Sequence, residues 1–288
     1  MEGFLVYTAT PVIGRLFRMA GIQGKDLHKK KEPELPEALG LLAGTILLCF
    51  VPNHRILWCT LIGLWIGALD DILDIAWRYK LCLSALAYIP LYSDITSVIL
   101  FGQVVDLGIV YHVYMLIWCI WCGNAINIHA GINGIEVGQC LVIACGLLCV
   151  VEDTRILLSY ILVGGALMPY NWYPASIFVG DSWCYMSGMF FVAIAQHETE
   201  TLALMMLPQV ANTLLSLPEL SGYCECPRHR MPKHDAQQDT LVSSGRGTLM
   251  NVILHVRGPM KERNLCIYLL VIQAVSVLSA LAVKSIFR

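Results

Sequence analysis

Charge is what this sequence has least of. Only 14% of its 288 residues are Asp, Glu, Lys or Arg, against about 25% in an ordinary soluble domain. With 57% of residues hydrophobic, a water-soluble globule is excluded. The charges present nearly cancel, to a formal −2, so no basic surface argues for nucleic acid. No cleavable signal peptide is expected, because the first apolar run is short and no small-residue cleavage site follows it. No motif window recurs along the chain, which excludes a solenoid. Cysteine is not scarce, but the 12 present lie mostly inside apolar runs. There they are small hydrophobes and not a disulfide framework.

What is present is a series of ten apolar runs: 4–14, 38–51, 56–69, 81–92, 109–122, 140–151, 156–169, 182–195, 202–217 and 265–287. A full span takes about 20 residues, so several helices must continue into their flanking loops. A thinner bilayer such as that of the endoplasmic reticulum would suit them. The first run implies either a short helix or a truncated N-terminus. Residues 96–107 alternate weakly and predict a short hairpin or loop, and Pro208 predicts a kink in the ninth run. The expected fold is an all-α membrane protein, a polytopic bundle of about ten transmembrane helices in one domain over 1–288, with a polar loop at 223–264.

Ten spans put the loops at 15–37, 70–80, 123–139, 170–181 and 223–264 on one side. Of the 19 Lys and Arg residues, 15 fall in that set. The excess of positive charge predicts that this side faces the cytosol. The polar motifs fall on the same side.

The most polar of these loops is 123–139, which sits between two apolar runs and holds Asn124, Asn127, Asn133 and Glu136. Polar side chains at membrane depth are costly and usually mark a site. Asn124 and Asn127, spaced i, i+3, share one face of a helix end. Gly131 and Gly134 permit close backbone approach to a ligand. Asp70, Asp71 and Asp74 form a D-D-x-x-D cluster where the third span ends. On a helix Asp70 and Asp74 share a face and Asp71 points about 100° away. Hard carboxylate oxygens of this kind suit Mg²⁺, which keeps waters and substrate phosphates as its other ligands. Asp181, opening the eighth run, is either a helix N-cap or a further ligand. Pro227-Arg228-His229-Arg230 carries two guanidinium forks suited to a diphosphate or phospho-sugar. The spacing of Cys224, Cys226, His229 and His234 lacks a zinc pattern. Trp118, Trp121, Trp172 and Trp183 are expected as interfacial anchors. A metal-ready, phosphate-friendly site at a membrane surface suits phosphoryl transfer onto a lipid. It also suits an ion-coupled transporter, whose acids should lie nearer mid-membrane.

Four stretches resemble one family in the same order: Asp70-Asp71-Ile-Leu-Asp74 with Lys80, Asn124-Ala-Ile-Asn127 with Gly131-Ile-Asn133-Gly134, Asn171-Trp-Tyr-Pro with Phe178-Val-Gly-Asp181, and Pro227-Arg-His-Arg230. The family is that of the eukaryotic UDP-N-acetylglucosamine–dolichyl-phosphate N-acetylglucosaminephosphotransferases, the targets of tunicamycin, within the polyprenyl-phosphate phospho-sugar transferases. The resemblance runs from about Gly24 to Asn264. It implies a multi-pass enzyme of the endoplasmic reticulum membrane with its site facing the cytosol. Such an enzyme moves N-acetylglucosamine 1-phosphate from UDP-GlcNAc to dolichyl phosphate and releases UMP. A related donor remains the alternative within the superfamily, and a homodimer is left open. By the same resemblance Asn127 and Asp181 hold Mg²⁺, and Asp70 and Asp71 lie nearest the reacting phosphates. Lys80 contacts phosphate, Asn133 reads uracil, and Leu27 and Glu37 lie at the nucleotide end. Asn124 joins the substrate site, and Arg228, His229 and Arg230 hold the sugar phosphate.

Overall fold

In the computed structural model, residues 1–223 and 230–287 are described. Among them the chain is mostly helix: α1 (Glu2–Met19), α2 (Leu39–Leu48), α3 (His54–Leu73), α4 (Trp77–Ala85), α5 (Val110–Ile128), α6 (Ile135–Leu147), α7 (Thr154–Asn171), α8 (Gly180–Ile194), α9 (Thr199–Met205), α10 (Leu207–Leu220), α11 (Leu249–Arg257) and α12 (Glu262–Ile286). A 3₁₀ turn, Leu86–Leu91, extends α4. Three two-stranded antiparallel hairpins complete the fold: β1 (Gln23–Lys25) with β2 (Glu34–Pro36), β3 (Ser97–Leu100) with β4 (Gln103–Asp106), and β5 (Lys233–Asp235) with β6 (Thr240–Val242). The hairpin expected within 96–107 is therefore present.

Local chemistry sets several starts. Asn53 caps α3, its Oδ1 accepting from the N–H groups of Arg55 at 2.9 Å and Ile56 at 3.3 Å. Such a cap is worth about 1 kcal/mol. Thr248 caps α11 in the same way, so the 223–264 loop is not irregular throughout. It holds β5, β6 and α11, which close a small apolar core of Ile132, Ile135, Leu241, Met250, Leu254 and Leu265.

α8 is the central post of the bundle: every residue from Ser182 to Ala193 is buried. Its neighbours reach it through small residues. Gly40 and Gly44 on α2, and Gly63 and Gly67 on α3, each form a small-x-x-x-small pair of the kind that lets membrane helices touch through their backbones. A Cβ on Gly67 would lie 2.3 Å from the carbonyl oxygen of Asp181, and one on Gly40 would lie 2.4 Å from the Trp183 nitrogen. Trp183 is thus a core residue, fully buried and stacked on Tyr160 at 5.3 Å, not the interfacial anchor its composition suggested.

Two helices, α3 and α12, are long and apolar enough to cross a membrane, and α9 with α10 makes a third candidate bent by 74°. The bend falls at Met206; Pro208 sits in the first turn of α10, where its missing N–H costs nothing. The ends of the bundle separate the loops into two sets. Phe178 N–H donates to the Pro36 carbonyl, and the His28 ring meets the Pro232 carbonyl at 3.1 Å. Lys29 reaches Asn133 at 3.1 Å and Lys80 reaches Asp181 at 3.2 Å. At the other end Ile99 N–H donates to the His197 carbonyl, joining the β3–β4 hairpin to the loop before α9.

Candidate active site

The carboxylates of α3 meet the start of α8. Asp70 and Asp71 remain inside α3, and the helix stops at Asp74, whose φ of 51° takes the left-handed C-cap conformation. Asp74 therefore leaves the helical face it was expected to share with Asp70, and it is exposed. Asp70 accepts from the Ile75 N–H at 2.8 Å, which folds the chain back after the cap. That turn delivers Lys80, one turn into α4, to the same acids. Its ammonium pairs with Asp70 through a short contact and with Asp181 at 3.2 Å.

Asp71 is directed at the main chain of α8. Its two carboxylate oxygens accept from the N–H groups of Asp181 at 2.7 Å and Ser182 at 3.1 Å. These are orphan donors of a helix N-terminus, where a negative charge also meets the positive end of the helix dipole. Asp181 is therefore not the cap residue; Asp71 supplies the acceptor from another helix. Gly180, at φ 75°, makes room for it, because a Cβ there would lie 2.4 Å from Asp71 Oδ2. Held by its backbone, Asp181 turns its side chain to Lys80 and to Asn127, whose Nδ2 donates to Asp181 Oδ2 at 2.5 Å.

α5 supplies the amide wall. Asn124 and Asn127 share one face of its last turn, as their spacing requires. Asn124 Oδ1 accepts from the Tyr185 hydroxyl at 2.7 Å, and its Nδ2 donates to the Ile120 carbonyl at 2.7 Å. His129, just past the end of α5, is 1% exposed. Burial pushes its imidazole down to about 4, so it is a neutral residue of the interior.

A second polar cluster gathers Asp26, His28, Asn133 and Glu262, all buried, around the ammonium of Lys29. Lys29 contacts Asp26 at 3.2 Å, Asn133 Oδ1 at 3.1 Å and Glu262 through a short ion pair, and lies 4.5 Å above the Tyr173 ring. Asn133 Oδ1 also accepts from Ala175 N–H at 3.0 Å, and its Nδ2 donates to Asp26 at 3.3 Å. Three of the four hydrogen-bonding positions of that carboxamide are committed to protein. Its second N–H has no protein acceptor among the described residues. Leu27 is exposed beside this cluster, and Glu37 packs against Gly24, where a Cβ would come 2.8 Å from Glu37 Oε2.

Arg230 Nη1 lies 3.7 Å from Glu219 Oε2, and both side chains are largely buried. Arg228 and His229 lie outside the described residues. Sequence reasoning missed Tyr185, Glu219, Asp26, Lys29 and Glu262. Tyr185 sits i+4 from Asp181, a spacing that could have shown it beneath the acid. Glu262 gave no signal, since it looked like one more charge in a polar loop.

The oxygen donors fit a hard divalent cation. Asp181 and Asn127 share a corner, Asp70 joins them through Lys80, and Asp181 keeps 26% side-chain exposure, which leaves room for water and substrate ligands.

The fold is an α-helical membrane bundle with a carboxylate, amide and lysine site at one end, and the comparisons make it a membrane-embedded transferase. A family model described as glycosyl transferase family 4 matches residues 54–197. The chain is 34% identical to the UDP-N-acetylglucosamine–dolichyl-phosphate N-acetylglucosaminephosphotransferase of Dictyostelium discoideum, over 94% of this chain and 83% of that protein. It is 30% identical to the protein of the same name from Schizosaccharomyces pombe, over 97% and 90%. A phospho-N-acetylmuramoyl-pentapeptide-transferase from Streptococcus mutans is 28% identical over 66% and 68%. The chain belongs to glycosyl transferase family 4, in the branch of the UDP-N-acetylglucosamine–dolichyl-phosphate N-acetylglucosaminephosphotransferases.

Proposed function

We propose that the chain transfers N-acetylglucosamine 1-phosphate from UDP-GlcNAc to dolichyl phosphate, giving GlcNAc-diphosphodolichol and UMP. An oxygen of the lipid phosphate attacks the phosphorus borne by the sugar, and the bond to the UMP phosphate breaks. The observation that carries this reading is similarity of 30% or more over most of the chain to phosphotransferases named for that reaction, combined with the acid, amide and lysine cluster.

Phosphoryl transfer is mainly positioning and charge stabilisation, and the side chains divide along those lines. Asn127 and Asp181 would hold Mg²⁺, which when bound neutralises charge on the diphosphate. Lys80, kept at the site by Asp70 and Asp181, presents a cation to the phosphate oxygens. Asp70 fixes Lys80, and Asp71 fixes the backbone of Asp181. Asn124 lies on the substrate wall. Asn133 offers one N–H to the base, with Leu27 and Glu37 at the nucleotide end. Arg230, together with Arg228 and His229, takes the sugar phosphate. The setting is the endoplasmic reticulum membrane, with about ten spans and the site on the cytosolic face.

The test is transfer of label from radiolabelled UDP-GlcNAc to dolichyl phosphate by membranes containing the protein. Lipid-linked label, UMP release and loss of both with tunicamycin are expected. Solute flux into proteoliposomes without label transfer would replace the enzyme by a transporter.

A further inference from the structure

We infer that Asn251 is a positioning residue that fixes the main chain at Arg230 and so sets where that arginine presents its fork to the donor. This rests on the reading above, in which Arg230 takes the sugar phosphate.

Asn251 lies in the first turn of α11 and is 2% exposed. Its Nδ2 donates to the Arg230 carbonyl at 3.0 Å and to Thr248 Oγ1 at 2.7 Å. Its Oδ1 accepts from the Ser244 N–H at 2.8 Å and the Ser244 hydroxyl at 3.0 Å. The orientation of the carboxamide is forced by chemistry. A backbone carbonyl only accepts and a backbone N–H only donates, so the NH₂ must face Arg230 and the oxygen must face Ser244. All four hydrogen-bonding positions are then committed to protein. Asn251 has nothing left to offer a substrate, and any effect it has on the reaction passes through Arg230.

The same bracket ties Arg230 to the amide wall of the site. Asn212 on α10 accepts from the Leu249 N–H at 2.8 Å, at the start of α11, and donates to the Ile128 carbonyl at 3.0 Å. Ile128 directly follows Asn127. A path of short bonds thus runs from the end of α5 through Asn212, the first turn of α11 and Asn251 to the Arg230 main chain. The turn braced by Ser244 and Thr248 also serves the guanidinium. Gly247 N–H donates to Glu219 Oε1 at 3.2 Å, and Glu219 Oε2 lies 3.7 Å from Arg230 Nη1. The backbone of Arg230 and the acid beside its fork are therefore both referred to one turn, and Asn251 joins that turn to Arg230. Beyond it, Met231 packs over Gly131, where a Cβ would lie 2.7 Å from its Sδ, and Pro232 meets His28. Asn251 is the contact at Arg230 itself.

The experiment uses the purified full chain in detergent, with UDP-GlcNAc and dolichyl phosphate varied in turn and thermal melts in parallel. Asn251→Asp keeps the shape and the oxygen that Ser244 uses, and puts an oxygen in place of the NH₂ that faces the Arg230 carbonyl. Misplacement of a binding group by about 1 Å costs on the order of 100-fold, so we expect kcat/KM for UDP-GlcNAc to fall about 10- to 100-fold. The KM for dolichyl phosphate should stay unchanged. Asn251→Ala brings in no buried charge and is read in the same way if the aspartate variant does not fold. Thr248→Ala is the control for fold. It removes the cap of α11 and leaves the Arg230 bond, so it should lower Tm while the donor KM stays near that of the wild type. The decisive readout is a double-mutant cycle. If Asn251 acts through Arg230, Asn251→Asp costs much less in an Arg230→Lys background than it costs alone. Full multiplication of the two losses overturns the inference. So does an Asn251 variant that only melts lower and yields fewer active molecules, with both KM values unchanged. The reading beneath has its own readout in Arg230→Lys alone. Unaltered donor kinetics there defeat the assignment of Arg230, and the inference falls with it. A donor defect in Arg230→Lys with none in Asn251→Asp or Asn251→Ala defeats the inference alone.

Discussion

Asp71 holds Asp181 by its backbone: the Asp71 carboxylate accepts the Asp181 N–H at 2.7 Å, and the Asp181 side chain is thereby free to meet Asn127 and Lys80. Two acids from different helices thus sit side by side without pairing carboxylate to carboxylate. One charge is spent on a helix N-terminus and the other faces the site. The close crossing of α3 and α8 at Gly67 makes this possible.

The first prediction separates those two acids. Asp71→Ala leaves two N–H groups of α8 without their acceptor. An unsatisfied buried donor costs about 1–3 kcal/mol, and for a chain of this size each kcal/mol lowers Tm by about 2–4 °C. Asp71→Asn keeps one acceptor oxygen and should lose about half as much. Both should also slow transfer strongly, because Asp181 drifts from its place. Thermal melts in detergent with parallel turnover assays check this. Unchanged Tm in both variants would show that the cap contributes nothing to the fold.

The second prediction concerns Asp181, whose proposed role as a cation ligand bears on function more than on fold. Asp181→Ala should remove turnover, by at least about 100-fold, while Tm without added metal stays near that of the wild type. Stabilisation of the wild type by millimolar Mg²⁺ should vanish in the variant. Near-normal activity at low Mg²⁺ would exclude Asp181 as a ligand.

Much of this site was legible in the chain. Asn124 and Asn127 fall on one helix face because i, i+3 spacing dictates it, and Asp70 and Asp71 close a helix because the apolar run ends there. The burial of Trp183 was not legible. A tryptophan near a run's start looks like an anchor until the glycines of α2 and α3 bring those helices against it. Nor was Asp74's departure, since a left-handed cap at an Asp leaves no periodic mark. The Lys29 cluster was hidden for another reason. It joins residues separated by 104 and 233 positions, and each looked like an ordinary loop charge.

Sidedness is the third prediction. Lys29, in a loop, and Arg78, in the first turn of α4, share the site's end of the bundle with the segment around Arg230, and the positive charge gathered there predicts that this end faces the cytosol. Single cysteines placed at Lys29, Arg78 and Arg228 should all be labelled from outside in sealed microsomes by an impermeant maleimide. Protection of any one of them would overturn the proposed arrangement of about ten spans.

The last prediction concerns Arg230. Its guanidinium is held near Glu219, yet Nη1 and Glu219 Oε2 make no hydrogen bond, at a separation of 3.7 Å. An arginine in that state keeps donors available for a phosphate, because Glu219 fixes its place by charge without filling its fork. Arg offers two parallel N–H groups to two phosphate oxygens, whereas Lys offers a point charge. Arg230→Lys preserves the charge against Glu219 and loses the fork. A charge-assisted hydrogen bond is worth about 1.5–3 kcal/mol, so kcat/KM for UDP-GlcNAc should fall roughly 10- to 100-fold. The KM for dolichyl phosphate should barely move, because in the proposed assignment Arg230 acts on the donor and not on the lipid. Steady-state kinetics with each substrate varied in turn decide the matter. A silent substitution would make Arg230 an ordinary structural partner of Glu219. A loss confined to the lipid substrate would move this segment to the acceptor side, and Lys80 would then be the residue that meets the donor.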